Sequence, residues 1–329
     1  MRGQQRNARG PERTSVPSLV RFSTSSLPAA DRVAYFQDML ARTLTGCNSS
    51  SLEQADLSVD VNFLTGQDVC LGITRSTSLR NHRDRSCLSD QDDDFLLLSV
   101  LSGTGRIEHR EQRVTLQRGS GVLTRLSDTI DTHWPDARLM VLRLRRPALR
   151  NVDADRAAGL DLARSRPLMH LLHAYGRAVM RDALNGEPID PLAERHMTEL
   201  VEALCARSVD EAEQAARPAI GAARVAAMRE TIARDHARPM LSMRDVAAAV
   251  GISERAGHLA FEAAELGFTE ELHAVRLDRA CERLAAGGER VIDVAFAVGF
   301  SDSSHFHRLF KRRFGMTPSE YRSAHRSRR

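Results

Sequence analysis

The stretch 291–322, VIDVAFAVGFSDSSHFHRLFKRRFGMTPSEYR, constrains the fold more than any other part of the chain. Ile292, Ala295, Phe296 and Val298 recur at helical spacing, and Gly299 follows where a glycine in the left-handed conformation ends a helix. Phe300 supplies an apolar plug, Ser301 or Asp302 can cap a second helix, and Phe306, Leu309, Phe310 and Phe314 give that helix a buried stripe. Thr317-Pro318-Ser319-Glu320 reads as a capping box with proline at the first helical position, so a short closing helix follows. The pattern is that of a helix-turn-helix. Its outward face carries Ser303, Ser304, His305, His307, Arg308, Lys311 and Arg312, short polar and cationic groups that reach base edges and phosphates when a helix lies in a major groove. Double-stranded DNA is the partner this face implies.

The same residues resemble the signature of the AraC/XylS family of bacterial transcription activators, A-x-x-x-G-F-x-[SD]-x-S-[HY]-F-x-R-x-F-[KR]-x-x-F-G-x-[TS]-P-x-x-[YF]-R. Ala295, Gly299, Phe300, Ser304, His305, Phe306, Arg308, Phe310, Lys311, Phe314, Gly315, Thr317, Pro318, Tyr321 and Arg322 fall on it. The resemblance implies two helix-turn-helix units joined by a long helix, a promoter as target, RNA polymerase as a further partner, and a cupin-like sensor domain upstream. The first unit is present in degraded form. Residues 222–236 read as a helix with Val225, Met228 and Ile232 on one face, and Pro239 stops it. Ser242 caps a helix over 243–250, Gly251-Ile252-Ser253 turns the chain, and a helix over 254–266 follows. Within it Gly257 stands where the family usually has leucine, and Leu259 where it often has arginine. Glycine inside a helix costs about 1 kcal/mol relative to alanine. That leaves Arg255 and His258 as the first unit's DNA contacts, and the second unit (291–314) is expected to dominate over the first (243–266) within a DNA-binding domain of 219–325.

A chain of 329 residues is too long for one DNA-binding module. Residues 1–16 place arginines among Gln, Asn, Gly and Pro with almost no apolar residue, the composition of a disordered arm. From about 57 to 149 the period changes to two. Runs at 94–101 (DFLLLSVL), 105–109, 112–116, 121–126 and 139–144 are separated by Gly, Asp and Ser turns, as in an all-β sandwich or barrel. The block Leu101-Ser102-Gly103-Thr104-Gly105 followed by Arg118-Gly119 resembles the family's cupin-like domain, here placed at 17–150. Residues 151–218 return to helical composition, with helices over 167–180 and 191–206 broken at Asn185-Gly186-Glu187-Pro188. The resemblance implies that such a helical pair lies between the domains and often pairs two copies; the alternative is a pair of helices packing only on its own β domain. The expected class is α+β: a cupin-like β barrel, a helical linker and an all-α domain with two helix-turn-helix units.

Formal net charge is only +4, yet cations concentrate at the end: Arg308, Lys311, Arg312, Arg313, Arg322, Arg326, Arg328 and Arg329 are opposed there by Asp302 and Glu320. No signal-peptide core or membrane-length apolar run is visible, which predicts a cytoplasmic protein with no membrane partner. Cys47, Cys70, Cys87, Cys205 and Cys281 lack metal-ligand spacing and read as reduced, mostly buried thiols. The competing function is a metal-dependent cupin-type enzyme, which needs a His-x-His pair, a glutamate and a distal histidine converging in the barrel. His82, His109 and His133 stand singly, and His305-x-His307 lies on a helix, where residues two apart diverge by about 200°. No catalytic residue, metal or cofactor is therefore assigned. An unidentified small-molecule effector is expected in the β domain. Arg106, His109, Arg125, His133, Trp134 and Arg143 lie on or near its strands, but alternation does not say which point inwards, so no ligand-binding residue is named.

Overall fold

The computed structural model describes residues 18–52, 57–110, 112–150, 153–162, 166–206 and 216–326. The expected disordered arm at 1–16 and the basic residues Arg328 and Arg329 lie outside them. The chain divides into two compact units, Met1–Ala219 and Ile220–Arg329.

Among the described residues the first unit is built on eight antiparallel strands: β1 (Ser18–Ser23), β2 (Asn48–Ser51), β3 (Ser58–Thr65), β4 (Val69–Arg83), β5 (Phe95–His109), β6 (Gln112–Gln117), β7 (Gly121–Arg125) and β8 (Ile130–Leu144). They pair in the order β1-β3-β4-β8-β5-β6, with β2 added to β4 and β7 to β5. The apolar run in β5 is continuous because the strand is covered on both faces, so period-two alternation has no solvent side to report. Leu96 and Leu98 face an apolar interior. The opposite face is covered by two helices, α3 (Arg166–Leu184) and α4 (Pro191–Cys205), which follow the one-turn α2 (Ala154–Ala157). Gly176 of α3 approaches so closely that an added Cβ would stand 2.6 Å from Met140 Cε. Buried Glu194 of α4 accepts hydrogen bonds from the backbone N–H groups of Gln67, Asp68 and Val69, fastening α4 to the β3–β4 turn. Glu202 of the same helix accepts one from the N–H of Arg150. The linker helices are thus part of the β unit's own packing.

Two features depart from the sequence reading. The segment Ser102-Gly103-Thr104, read with its neighbours as a boundary between strands at 94–101 and 105–109, lies inside one long β5; the pairing with β8 shifts register on both sides of it, between Val100 and Ser102 and between Thr104 and Arg106. The bend gives the Trp134 ring room against Gly105, where any Cβ would come within 2.0 Å of it. The second is α1 (Ala29–Thr43), which the β reading of 17–150 did not anticipate and which buries Phe36, Met39 and Leu40.

Among the described residues the second unit is all helical: α5 (Arg217–Asp235, whose first turn contains the division), α6 (Met243–Val250), α7 (Glu254–Ala263), α8 (Phe268–Ala286), α9 (Val291–Ala297), α10 (Ser303–Phe314) and α11 (Pro318–Arg326). Two small cores form within it. Met228, Ile232, Leu241, Met243, Val246, Phe261 and Leu272 make the first; Leu277, Ala280, Leu284, Val294, Ala295, Val298, Phe300, Phe306, Leu309 and Phe310 make the second. The long α8 contributes Leu272 to one and Leu277, Ala280 and Leu284 to the other. Among the described residues no helix is long and apolar enough to cross a membrane.

Candidate nucleic-acid interface and effector cavity

The second helix-turn-helix is α9, its turn and α10. Gly299 has φ +97°, and a Cβ there would lie 2.5 Å from the His236 carbonyl oxygen, so the turn needs glycine for conformation and space. Phe300 plugs the core, and Asp302 caps α10 by accepting from the Ser304 N–H at 2.8 Å. Phe306, Leu309 and Phe310 are buried and Phe314 partly so, with Tyr321 of α11 edge-on to Phe310. Thr317 and Glu320 form the reciprocal cap of α11. On α9 the reading of the apolar residues needs correction. Val294, Ala295 and Val298 are buried, whereas Ile292 is 42% and Phe296 48% exposed, because the buried face of this short helix runs one residue off the assumed stripe.

The structure brings the sequence-named α10 residues onto one side of the helix with different degrees of exposure. Ser304, His307, Arg308, Lys311 and Arg312 are exposed. Ser303 and His305 are half-buried. The His305 ring stands edge-on to His273 of α8 at 5.2 Å, and His273 in turn stacks on Phe300 at 5.8 Å. Burial first, then the neighbouring His305 and Arg276, hold the His273 imidazole below its ordinary range. His307 donates from Nδ1 to the Ser303 carbonyl at 2.7 Å, which orients its ring along the helix. Arg313, grouped in the sequence with the free cations, turns away to pair with Asp278 of α8 at 2.9 Å.

The first unit, α6 and α7, keeps the same local grammar. Ser242 and Asp245 form a complete capping box, and Gly251 ends α6 in the left-handed region. Ser253 caps α7, accepting from the Ala256 N–H at 3.2 Å. Gly257, which stands where the family usually has leucine, is buried where α6 approaches: a Cβ there would stand 2.9 Å from Met243 Sδ and 3.1 Å from Ala247 Cβ. The methionine sulfurs fill the space a leucine would take. Arg255 and His258 are exposed on α7. The helix ends at Ala263, short of the expected 266, and Glu265 adopts φ +56°.

Inside the β unit lies a cavity of about 80 Å³ between α1 and the inner face of the strands. Phe36, Leu40, Leu98, Leu126, Leu139 and Trp134 are among its mainly apolar walls, and Thr45, Asn81, Arg83 and Thr132 give it one polar side. Arg83 is only 2% exposed, and its three nitrogens donate to the Leu126 carbonyl, the Gly46 carbonyl and Asp90, each at 2.6 Å. Its charge is therefore compensated within the protein. Thr45 Oγ1 is buried and has no hydrogen-bond partner among the described residues. Burial pushes the Cys47 thiol up to about 11, so it lines the cavity as a neutral group. Of the six strand residues considered from the sequence, Trp134 faces this cavity. Arg106 is exposed, Arg125 pairs with Asp155 at 3.1 Å, and Arg143 with Asp92 and Asp94 at 3.0 and 2.8 Å. His133 lies 3.2 Å from Asp131, and His109 is buried away from the cavity, burial pushing its imidazole down to about 4. The five cysteines are free thiols, of which only Cys70 is fully buried.

Among known proteins, a helix-turn-helix domain family matches residues 246–324 and an AraC-binding-like domain family matches residues 36–206. The transcriptional activator NphR of a Rhodococcus species is 39% identical over 85 residues, covering 26% of this chain and 25% of that protein. The HTH-type transcriptional activator RhaS of Klebsiella pneumoniae (strain 342) is 37% identical over 90 residues, covering 27% and 32%. The chain thus spans a quarter to a third of the length of these relatives. A crystal structure of the AraC-like transcriptional activator CuxR superposes with a TM-score of 0.49 at 16% identity, covering 87% of this chain and 99% of that one. With an AraC-binding-like domain over more than half of its length and a helix-turn-helix domain after it, the chain belongs to the AraC/XylS family of transcription regulators.

Proposed function

We propose that the chain is an effector-responsive transcription regulator that binds promoter DNA through its C-terminal unit, with α10 as the main base reader. One observation carries this reading: α10 buries Phe306, Leu309 and Phe310 on one side and exposes Ser304, His307, Arg308, Lys311 and Arg312 on the other, at the second position of a helix-turn-helix. A helix so divided fits a major groove, with its inner residues at base edges and its outer cations at phosphates. Ser303 and His305 support the helix from its half-buried edge, and Arg255 and His258 supply the first unit's contacts.

Lys311 and Arg312 are assigned to the phosphates. Replacing both by glutamine is expected to weaken binding to all sequences equally and to shallow the dependence of log affinity on log salt by about 0.9 per lost contact. An unchanged slope would remove both residues from the interface.

The β-unit cavity is proposed as the effector site. A cavity of about 150 Å³ holds benzene, so roughly half that volume takes only a small part of an apolar molecule unless walls such as Phe36 move. Arg83 is already neutralised by Asp90, which favours an uncharged, mainly apolar effector with one hydrogen-bonding group near Thr45 over a free carboxylate. Trp134 is the only tryptophan in the chain and lines the cavity. An effector that enters is expected to change Trp134 emission, and Leu98→Trp, which fills the space, to abolish its influence on DNA binding. An effector that alters DNA binding with Trp134 emission unmoved would place its site elsewhere. The relatives' names as activators extend the proposal to RNA polymerase as second partner, and the exposed Leu184 and Leu192 on α3 and α4 support pairing of two copies there.

A further inference from the structure

The two second helices of the helix-turn-helix units are in register from their caps. Ser253 caps α7 and Asp302 caps α10. The fourth residue after each cap is buried, Gly257 in one and Phe306 in the other, and so is the eighth, Phe261 and Phe310. The fifth is an exposed histidine in both, His258 and His307. The sixth is exposed in both as well, and there the chemistry changes: Arg308 in α10, Leu259 in α7. Leu259 is 54% exposed, with Arg255, His258 and Glu262 exposed beside it on a predominantly polar face. An apolar side chain cannot donate to guanine, but it can pack against the one apolar group a base edge offers in the major groove, the thymine C5-methyl.

We infer that Leu259 is a specificity-determining residue that reads a thymine methyl in the half-site bound by the first helix-turn-helix. The inference rests on the DNA-binding reading above and deepens it. It also replaces the expectation that Arg255 and His258 alone represent the first unit. Gly257 contributes indirectly, because its missing side chain lets α7 sit against Met243 and Ala247 and so sets how far Leu259 projects.

The test is site selection with the full chain from random duplexes, followed by replacement of each selected thymine by uracil, which removes only the methyl. In the half-site insensitive to Arg308, one uracil is expected to weaken binding about fourfold, the worth of one buried apolar carbon. Leu259→Ala, at an exposed position, is expected to bind the thymine and uracil duplexes equally. Leu259→Arg is expected to move the preference at that base pair toward guanine, as Arg308 does in the other half-site. Uracil neutral throughout the first half-site, or a uracil penalty that persists in Leu259→Ala, overturns the methyl contact while leaving the DNA-binding reading intact. A chain that enriches no sequence overturns both.

Discussion

Replacing Arg276 by methionine is expected to lower the stability of the C-terminal unit by about 2–4 kcal/mol, since partly buried carbonyls lose hydrogen bonds from a charged donor that contribute roughly 1.5–3 kcal/mol each. Arg276 lies on α8 and is 5% exposed. Its Nε donates to the His236 carbonyl at 2.9 Å, and Nη2 to the carbonyls of Arg238 at 2.8 Å and Pro239 at 3.4 Å. These carbonyls follow the C-terminus of α5, where a cation is favoured by the helix dipole. The guanidinium also stands 5.7 Å from the centre of the Phe300 ring, the plug of the second turn. One side chain thus joins the first unit's opening helix, the linking helix and the second unit's turn. Burial holds its pKa below the usual arginine value, yet arginine remains charged at neutral pH. Calorimetry of the full chain should show the transition of the C-terminal unit falling by roughly 10 °C or more in Arg276→Met, with Arg276→Lys between it and the parent. A methionine variant within about 0.5 kcal/mol of the parent, the range of ordinary surface substitutions, would show that Arg276 does not hold the units together.

The C-terminal unit was legible in the sequence because its determinants are local. A cap, a glycine and a helical stripe each act within a few residues, so Ser242, Gly251 and Thr317 could be placed from their neighbours alone, and the cap of α10 narrowed to Ser301 or Asp302. The role of Arg276 could not, since its acceptors lie about forty positions upstream. The failure at Ile292 and Phe296 has a related cause. In a helix of 7 residues, apolar spacing is satisfied by two adjacent stripes, and only the neighbouring helices decide which is buried. The cavity was less legible still. Thr45, Arg83 and Thr132 meet through strand pairing between β4 and β8 and through the loop after α1, contacts that alternation within one strand does not encode. A signal for α1 was present: Val33, Phe36, Met39 and Leu40 lie at helical spacing. Arg83 carried none, because its burial depends on Asp90 and on the carbonyls of Gly46 and Leu126.

Arg308→Ala is expected to relax base preference sharply in one half-site, while Arg255→Ala lowers affinity modestly and leaves preference nearly unchanged. Arg308 lies in the second turn of α10, exposed, one residue beyond His307 and one turn beyond Ser304, where a guanidinium can reach both acceptors of a guanine. Such a bidentate contact contributes about 1–3 kcal/mol of discrimination, or up to roughly a hundredfold between the right and wrong base pair. Arg255 sits in the first turn of α7, beside the Arg244–Glu254 ion pair, and is assigned to the DNA backbone. Two units in adjacent grooves lie about 34 Å apart, one helical turn, so the difference between them should appear as a strongly specified half-site and a weakly specified one at that spacing. The weak half-site has the apolar contact of Leu259 as its main source of preference, worth several-fold rather than a hundredfold. Binding-site selection with the two alanine variants decides the matter. Loss of specificity in Arg255→Ala with preference retained in Arg308→Ala would reverse the assignment, making α7, packed through Gly257, the principal reader of sequence.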